Sequence, residues 1–234
     1  NGGSENSGVL TINADNEGLD SELHLTINGG VIHINSGNDG INTNEDGVSV
    51  TTINGGELDI QVTGETGEGD GIDSNGWLVI NGGTVVAQAC SFSGDAGIDS
   101  DMGIHINGGT VIASGNMLDR ISESNQTYAI LNFNKFLGAG TYSVKNSDNA
   151  VVLRQEIENR FTSLIISSAD LIEGDYTLWY NDNQLAGTMS ENRGMFGGGM
   201  RPDMGEMPGR MSHPETPDDE RPEMPEGFDP EKMK

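Results

Sequence analysis

Basic residues are missing from the first half of this chain. Between Asn1 and Asp119 there are 18 aspartates and glutamates and no lysine or arginine. Phosphate binding needs Lys or Arg to displace counterions, so nucleic acid is excluded as a partner of this half. An anionic membrane surface is excluded on the same ground. Bulky side chains are scarce too: 33% hydrophobic and 5% aromatic residues, beside 35 glycines in 234, suit a thin repetitive fold better than one thick core. The single Cys90 forbids an internal disulfide. No run of about 18 apolar residues occurs, so no membrane-spanning helix is expected. The chain opens mid-phrase at NGGSENSG, as a fragment or processed product would.

What is abundant is repetition. The tetrapeptide INGG recurs at Ile27, Ile53, Ile80 and Ile106, and upstream of each stands EGLDS, DGINT, DGIDS or AGIDS. Five residues after each INGG isoleucine comes Ile32, Leu58, Val85 or Val111, and two further on Ile34, Ile60, Ala87 or Ala113. Alternation of this kind reads as short strands, and the Gly and Asn clusters between them read as corners. A unit of this length cannot bury its apolar side alone, whereas stacked copies can, at about 4.8 Å per rung. The expectation is an all-β protein: a right-handed parallel β-helix over residues 1–119, with Asn28, Asn54, Asn81 and Asn107 forming an asparagine ladder. Residues 120–189 carry bulkier strands (TYAILNF, GTYSVKN, NAVVLRQEI, TSLIISS, DYTLWYN), expected as an antiparallel meander that caps the helix or acts as a separate binding module. Residues 190–234 form a Met, Gly, Pro and acid tract whose composition does not support independent folding.

Stacking aligns the acids. Asp20, Asn42, Asp73 and Asp99 fall in one column, and Glu17, Asp39 and Asp70 in a second, with Asp95 displaced by one residue. Two carboxylates about 5 Å apart repel by about 0.8 kcal/mol in water and by more when shielded. With no Lys or Arg nearby, a hard cation is the natural counter-charge, and flexible oxygen ligands favour calcium. Asp70, Asp73, Asp95, Asp99 and Asp101 make the first candidate cluster; Asp39, Glu45 and Asp46 make the next, and Asp20 stands in the same column. The plainer alternative is ordinary Asp-Gly turn chemistry on a solvated surface.

The phrases LDSELHLTINGG, NDGINTNEDGVSVTTINGG, GDGIDSNGWLVINGG and DAGIDSDMGIHINGGTVIASG resemble secreted clostridial carbohydrate-binding domain proteins with a polysaccharide-lyase-like β-helix. The likeness covers residues 17 to about 188. It implies binding of a plant cell-wall polysaccharide such as pectate or cellulose, bound calcium and an extracellular or cell-surface location. A lyase of that fold needs a Lys or Arg base, which residues 1–119 lack, and the His-Gly and Arg-Ile-Lys elements of polygalacturonases are absent. The expectation is therefore a non-catalytic binder, with a polysaccharide lyase or hydrolase as an alternative. Trp77, Trp179 and Tyr180 are the aromatics with which a glycan could stack, one of the last two being expected in the core. An acidic protein meets an acidic pectate only across a bridging calcium. A rival expectation is a filament or surface-assembly subunit that stacks β-helices end to end, with the tail clasping the next copy.

Overall fold

A computed structural model describes residues 8–64, 69–185 and 188–193, the last six by backbone alone. Residues 194–234, most of the expected tail, lie outside the described residues. Every regular element described is a β-strand.

Three parallel sheets wrap around one apolar interior. The longest carries Val9–Ala14, Val31–Ser36, Glu57–Val62, Thr84–Gln88 and Thr110–Gly115, paired in that order. A short sheet carries Leu19–Ser21, Ile41–Thr43 and Ile72–Ser74, continued by a parallel bridge from Ile72 to Ile98. The third carries His24–Ile27, Val50–Ile53, Trp77–Ile80, Gly103–Ile106 and Ile121–Ser124. The repeat is thus a solenoid of parallel rungs. Apolar positions that the sequence aligns are aligned in space: Ile32, Leu58, Val85 and Val111 are successive partners, and Ile34, Ile60, Ala87 and Ala113 stand two residues on. Those from Ile34 onward in the stack are nearly or wholly buried, because neighbours above and below supply the packing one rung lacks.

The INGG corners are built as their residues dictate. The Asn54 side-chain amide donates to the Asn28 oxygen at 2.8 Å, Asn81 to Asn54 at 2.8 Å, Asn107 to Asn81 at 2.8 Å and Asn125 to Asn107 at 3.1 Å. The last glycine of each INGG adopts left-handed φ, from 85° at Gly109 to 104° at Gly56. At Gly83 an added Cβ would stand 2.6 Å from the Gly56 carbonyl oxygen, so the corner needs glycine for both conformation and closeness.

The C-terminal strands are antiparallel, but they are not a simple meander. Phe161–Ser168 inserts between the last long rung, Thr110–Gly115, and Thr127–Leu137, antiparallel to both, and Thr188–Arg193 then pairs with Thr127–Leu137. The reason lies in its side chains: FTSLIISS is buried almost throughout, which suits an inner strand. Ile165 and Ile130 pack into the solenoid interior, whereas Ile112, Leu164 and Ile166 belong to a second core with Leu137, Tyr142, Val144, Phe161 and Leu178. A four-stranded sheet of Val151–Ile157, Gly140–Asn146, Tyr176–Tyr180 and Asn183–Gln184 closes that core. The edge of the final solenoid strand is therefore covered within the same chain.

Candidate functional site

The acidic corner is made by the turns that lead into and out of the short sheet. In register, Asp20 is paired with Asn42 and Asn42 with Asp73, and the Ile72 to Ile98 bridge carries the column on to Asp99. Parallel pairing puts like side chains on one side, so the column expected from the repeat is present. Asp70 joins it from the second column. Carboxylate oxygens of Asp70, Asp73 and Asp99 lie within 4.8 Å of one another, and all three residues are partly buried.

Backbone bonds orient these acids. The Asp39 carboxylate accepts the Asp70 backbone N–H at 2.8 Å, and the Asp70 carboxylate accepts that of Ala96 at 2.5 Å. Electrostatics then work against their charge. Burial, and next the Asp99 carboxylate, hold the Asp70 carboxyl well above its usual range, against the lowering effect of the Ala96 N–H. Burial, followed by the charges of Asp39, Asp99 and Asp101, pushes Asp73 up to about 7. Two groups that prefer to lose protons are kept where burial and like charges make that costly.

Asn42 sharpens the picture. Its side-chain oxygen is buried and has no hydrogen-bond partner among the described residues, one rung from Asp73 in the same column. An unsatisfied buried acceptor costs about 1–3 kcal/mol. Oxygen acceptors in number, with no Lys or Arg among them, fit a hard cation such as calcium.

The other acids named from sequence are placed differently. Asp95 lies on the loop of residues 91–95, where its carboxylate accepts the Gly69 N–H at 2.6 Å and the Ser93 hydroxyl. Asp101 is exposed, and both acids act on the cluster only through their charge. Asp39 stands with the first group rather than with Glu45 and Asp46, which are exposed in the turn after Thr43. Asp46 accepts from the Asn75 amide at 3.1 Å, and Asp20 from the Asn44 amide at 2.8 Å.

The aromatics divide by alternation. Trp77 is 7% exposed, packed with Val50, Val79 and Met102 and edge-on to His105 at 5.3 Å, so its ring serves packing rather than an open stacking face. Tyr180 faces the cap core, stacked on Tyr142 at 5.0 Å. Trp179 points outward with the Lys145 ammonium 3.6 Å from its ring centre and its Nε1 donating to Thr177 at 2.9 Å. The repeat places Asn42 in the acidic column but says nothing of its oxygen, whose lack of a partner depends on packing that a single sequence does not reveal.

A family model described as carbohydrate-binding domain-containing protein matches residues 5–175, from the first rung into the cap. Comparison with curated proteins and with solved structures finds no match.

Proposed function

The chain belongs to the carbohydrate-binding domain-containing family, and from that premise we propose a non-catalytic, extracellular binder of acidic plant cell-wall polysaccharide that engages its ligand through calcium. The observation that carries this reading is the grouping of Asp70, Asp73 and Asp99 within 4.8 Å in a segment free of Lys and Arg. Asp70, Asp73 and Asp99, with the Asn42 oxygen, would hold the ion. Bound there, calcium neutralises the column and offers its remaining coordination positions to a sugar carboxylate, as a hard cation with six to eight oxygen ligands can. The protein's own contribution is orientation: the Ala96 and Asp70 N–H groups fix two carboxylates before any ion arrives.

Binding rather than catalysis is supported by the solenoid's composition. The lyases of the fold that the sequence phrases resemble take the proton alpha to a uronate with a Lys or Arg base, and residues 1–119 supply neither. The test is retention of the full chain on polygalacturonate with calcium and with chelator. Retention abolished by chelator is expected; undiminished retention would refute the bridge.

A further inference from the structure

The cap brings one cation down onto the solenoid and fixes it there. The turn at residues 158–160 is fastened by Gln88, whose side-chain oxygen accepts the N–H of Glu158 at 2.8 Å and of Asn159 at 3.0 Å. The buried Asn159 amide donates to the carbonyls of Val62 and Ala89, both at 2.7 Å, and its oxygen accepts from Gln61 at 3.0 Å. Arg160 is seated last: its backbone N–H donates to the Ser91 hydroxyl at 3.1 Å and its Nε to the Ser91 carbonyl at 2.9 Å. Such a set of bonds exceeds what a surface turn needs to close. Its effect is to hold a guanidinium in one place.

Around that guanidinium stand two rings that folding leaves uncovered. Its central carbon lies 5.0 Å from the Phe92 ring centre and 4.5 Å from that of Phe136. Phe92 is 65% exposed and Phe136 is 54% exposed, and Arg160 is itself exposed. Phe92 lies on the same loop of residues 91–95 whose other end reaches the acidic corner through Asp95 and Gly69. Nε is engaged by Ser91, and among the described residues no bond engages the terminal nitrogens of the fork.

We propose that Arg160, with Phe92 and Phe136, forms an anchoring subsite for a carboxylated sugar residue of the bound polysaccharide. A fixed guanidinium matches a planar carboxylate through two parallel hydrogen bonds, a geometry that a hydroxyl cannot reproduce. The apolar C–H side of a sugar ring packs on an exposed phenyl face, and each ring keeps the arginine partly desolvated. Preorganisation removes the side-chain ordering cost that binding otherwise carries. The acidic rungs repel a polyanion, but screening over about 8 Å at physiological ionic strength confines that repulsion to the nearest charges.

This inference rests on the carbohydrate-binding reading and goes beyond it, since it asks for no metal. The test is affinity electrophoresis of the full chain in gels holding polygalacturonate, its methyl ester or a neutral glucan, with calcium or with chelator. Retardation by polygalacturonate and not by the ester is expected. Arg160→Gln and the pair Phe92→Ser with Phe136→Ser should each weaken it at least tenfold, with Arg160→Lys in between. If Arg160→Gln does not fold, the phenylalanine pair carries the comparison, because both rings are exposed. Variants that run as wild type would overturn the subsite while the binding reading stands; equal retardation by the ester would overturn the subsite and the carboxylate bridge together. Loss in chelator with no effect of either variant leaves the calcium bridge and removes the arginine anchor; loss in the variants alone does the reverse. No retardation by any polysaccharide removes both readings. A changed oligomeric state in Arg160→Gln with unchanged retardation would mark the patch as a contact between copies and overturn the proposal.

Discussion

The Asp39 carboxylate accepts the backbone N–H of Asp70 at 2.8 Å, so that the acid of one rung is aimed by the backbone of the next. The same relation joins Asp70 to Ala96 at 2.5 Å. Repetition thus does two opposed things at this corner: it supplies N–H groups that favour ionised carboxylates and brings those carboxylates together, which disfavours them. The raised pKa of both Asp70 and Asp73 shows that burial and crowding outweigh the hydrogen bonds.

Stability without metal should therefore fall as pH rises. Asp73 titrates near 7 in the folded protein against about 3.8 ordinarily, and Asp70 is shifted the same way. The folded state holds protons that the unfolded chain has already released, so this contribution is complete below about pH 4 and is lost as pH rises through about 7. After a discount for the solvent the carboxyl still meets, roughly 2 kcal/mol, or about 4–8 °C in melting temperature, separates pH 5 from pH 7.5 in chelator. Calcium binds the ionised form, so its stabilisation should grow over the same interval. Melting curves at both pH values, for wild type and Asp73→Asn, check this; an equal pH slope in the variant would refute it.

The asparagine ladder makes a second expectation. Asn81 both donates to Asn54 and accepts from Asn107, whereas Asn125, at the end of the ladder, donates to Asn107 alone. Asn81→Ala removes two ladder bonds at partly buried positions, at a cost of about 1–3 kcal/mol. Asn125→Ala should cost clearly less. Urea midpoints measure both, and equal losses would mean that the ladder contributes little as a ladder.

How much of this was readable beforehand follows from which contacts are periodic. Ile27, Ile53, Ile80 and Ile106 announced the rungs because each repeats the same local phrase, and their burial follows from stacking. The column of Asp20, Asn42, Asp73 and Asp99 was readable for the same reason. The narrowing to Asp70, Asp73 and Asp99 was not, since Asp95 is diverted by a loop bond to Gly69 that no repeat encodes. Nor was the insertion of Phe161–Ser168 beside Thr110–Gly115, because an apolar strand states its burial and not its partner. Arg160 reaches Ser91 across 69 residues, a separation at which spacing carries no signal.

Glycines of the INGG corners should differ sharply with φ and with the rung beneath them, since a Cβ on Gly82 already meets the Asn54 oxygen at 3.0 Å. Gly83 has φ 88° and no room for a Cβ beside the Gly56 oxygen, while Gly29, in the first of the four INGG corners, has nothing within 4 Å of that position among the described residues. Gly83→Ala combines a left-handed penalty of about 1–2 kcal/mol with displacement of a neighbouring rung, for a loss of roughly 3 kcal/mol or more. Gly29→Ala should be near neutral. Comparable losses at both positions, read from denaturant unfolding, would contradict the close-approach account.

Asn42 separates a metal corner from an ordinary polar turn by sign. Its buried, unpartnered oxygen sits between Asp20 and Asp73 in register. Asn42→Asp adds a negative charge at about one rung's spacing from Asp73, a repulsion of about 0.8 kcal/mol in water and about 3 kcal/mol at an effective dielectric constant near 20. In chelator the variant should melt lower than wild type by a few degrees. In calcium it should melt as high or higher, with the midpoint of the calcium titration shifted to lower concentration about tenfold, because an added anionic ligand strengthens a hard-cation site. Asp73→Asn should do the opposite, melting higher in chelator and losing most of its response to calcium. If Asn42 merely shapes a turn, both substitutions change the melting temperature equally with and without calcium, and the oxygen cluster then has no role beyond the solenoid's own corner.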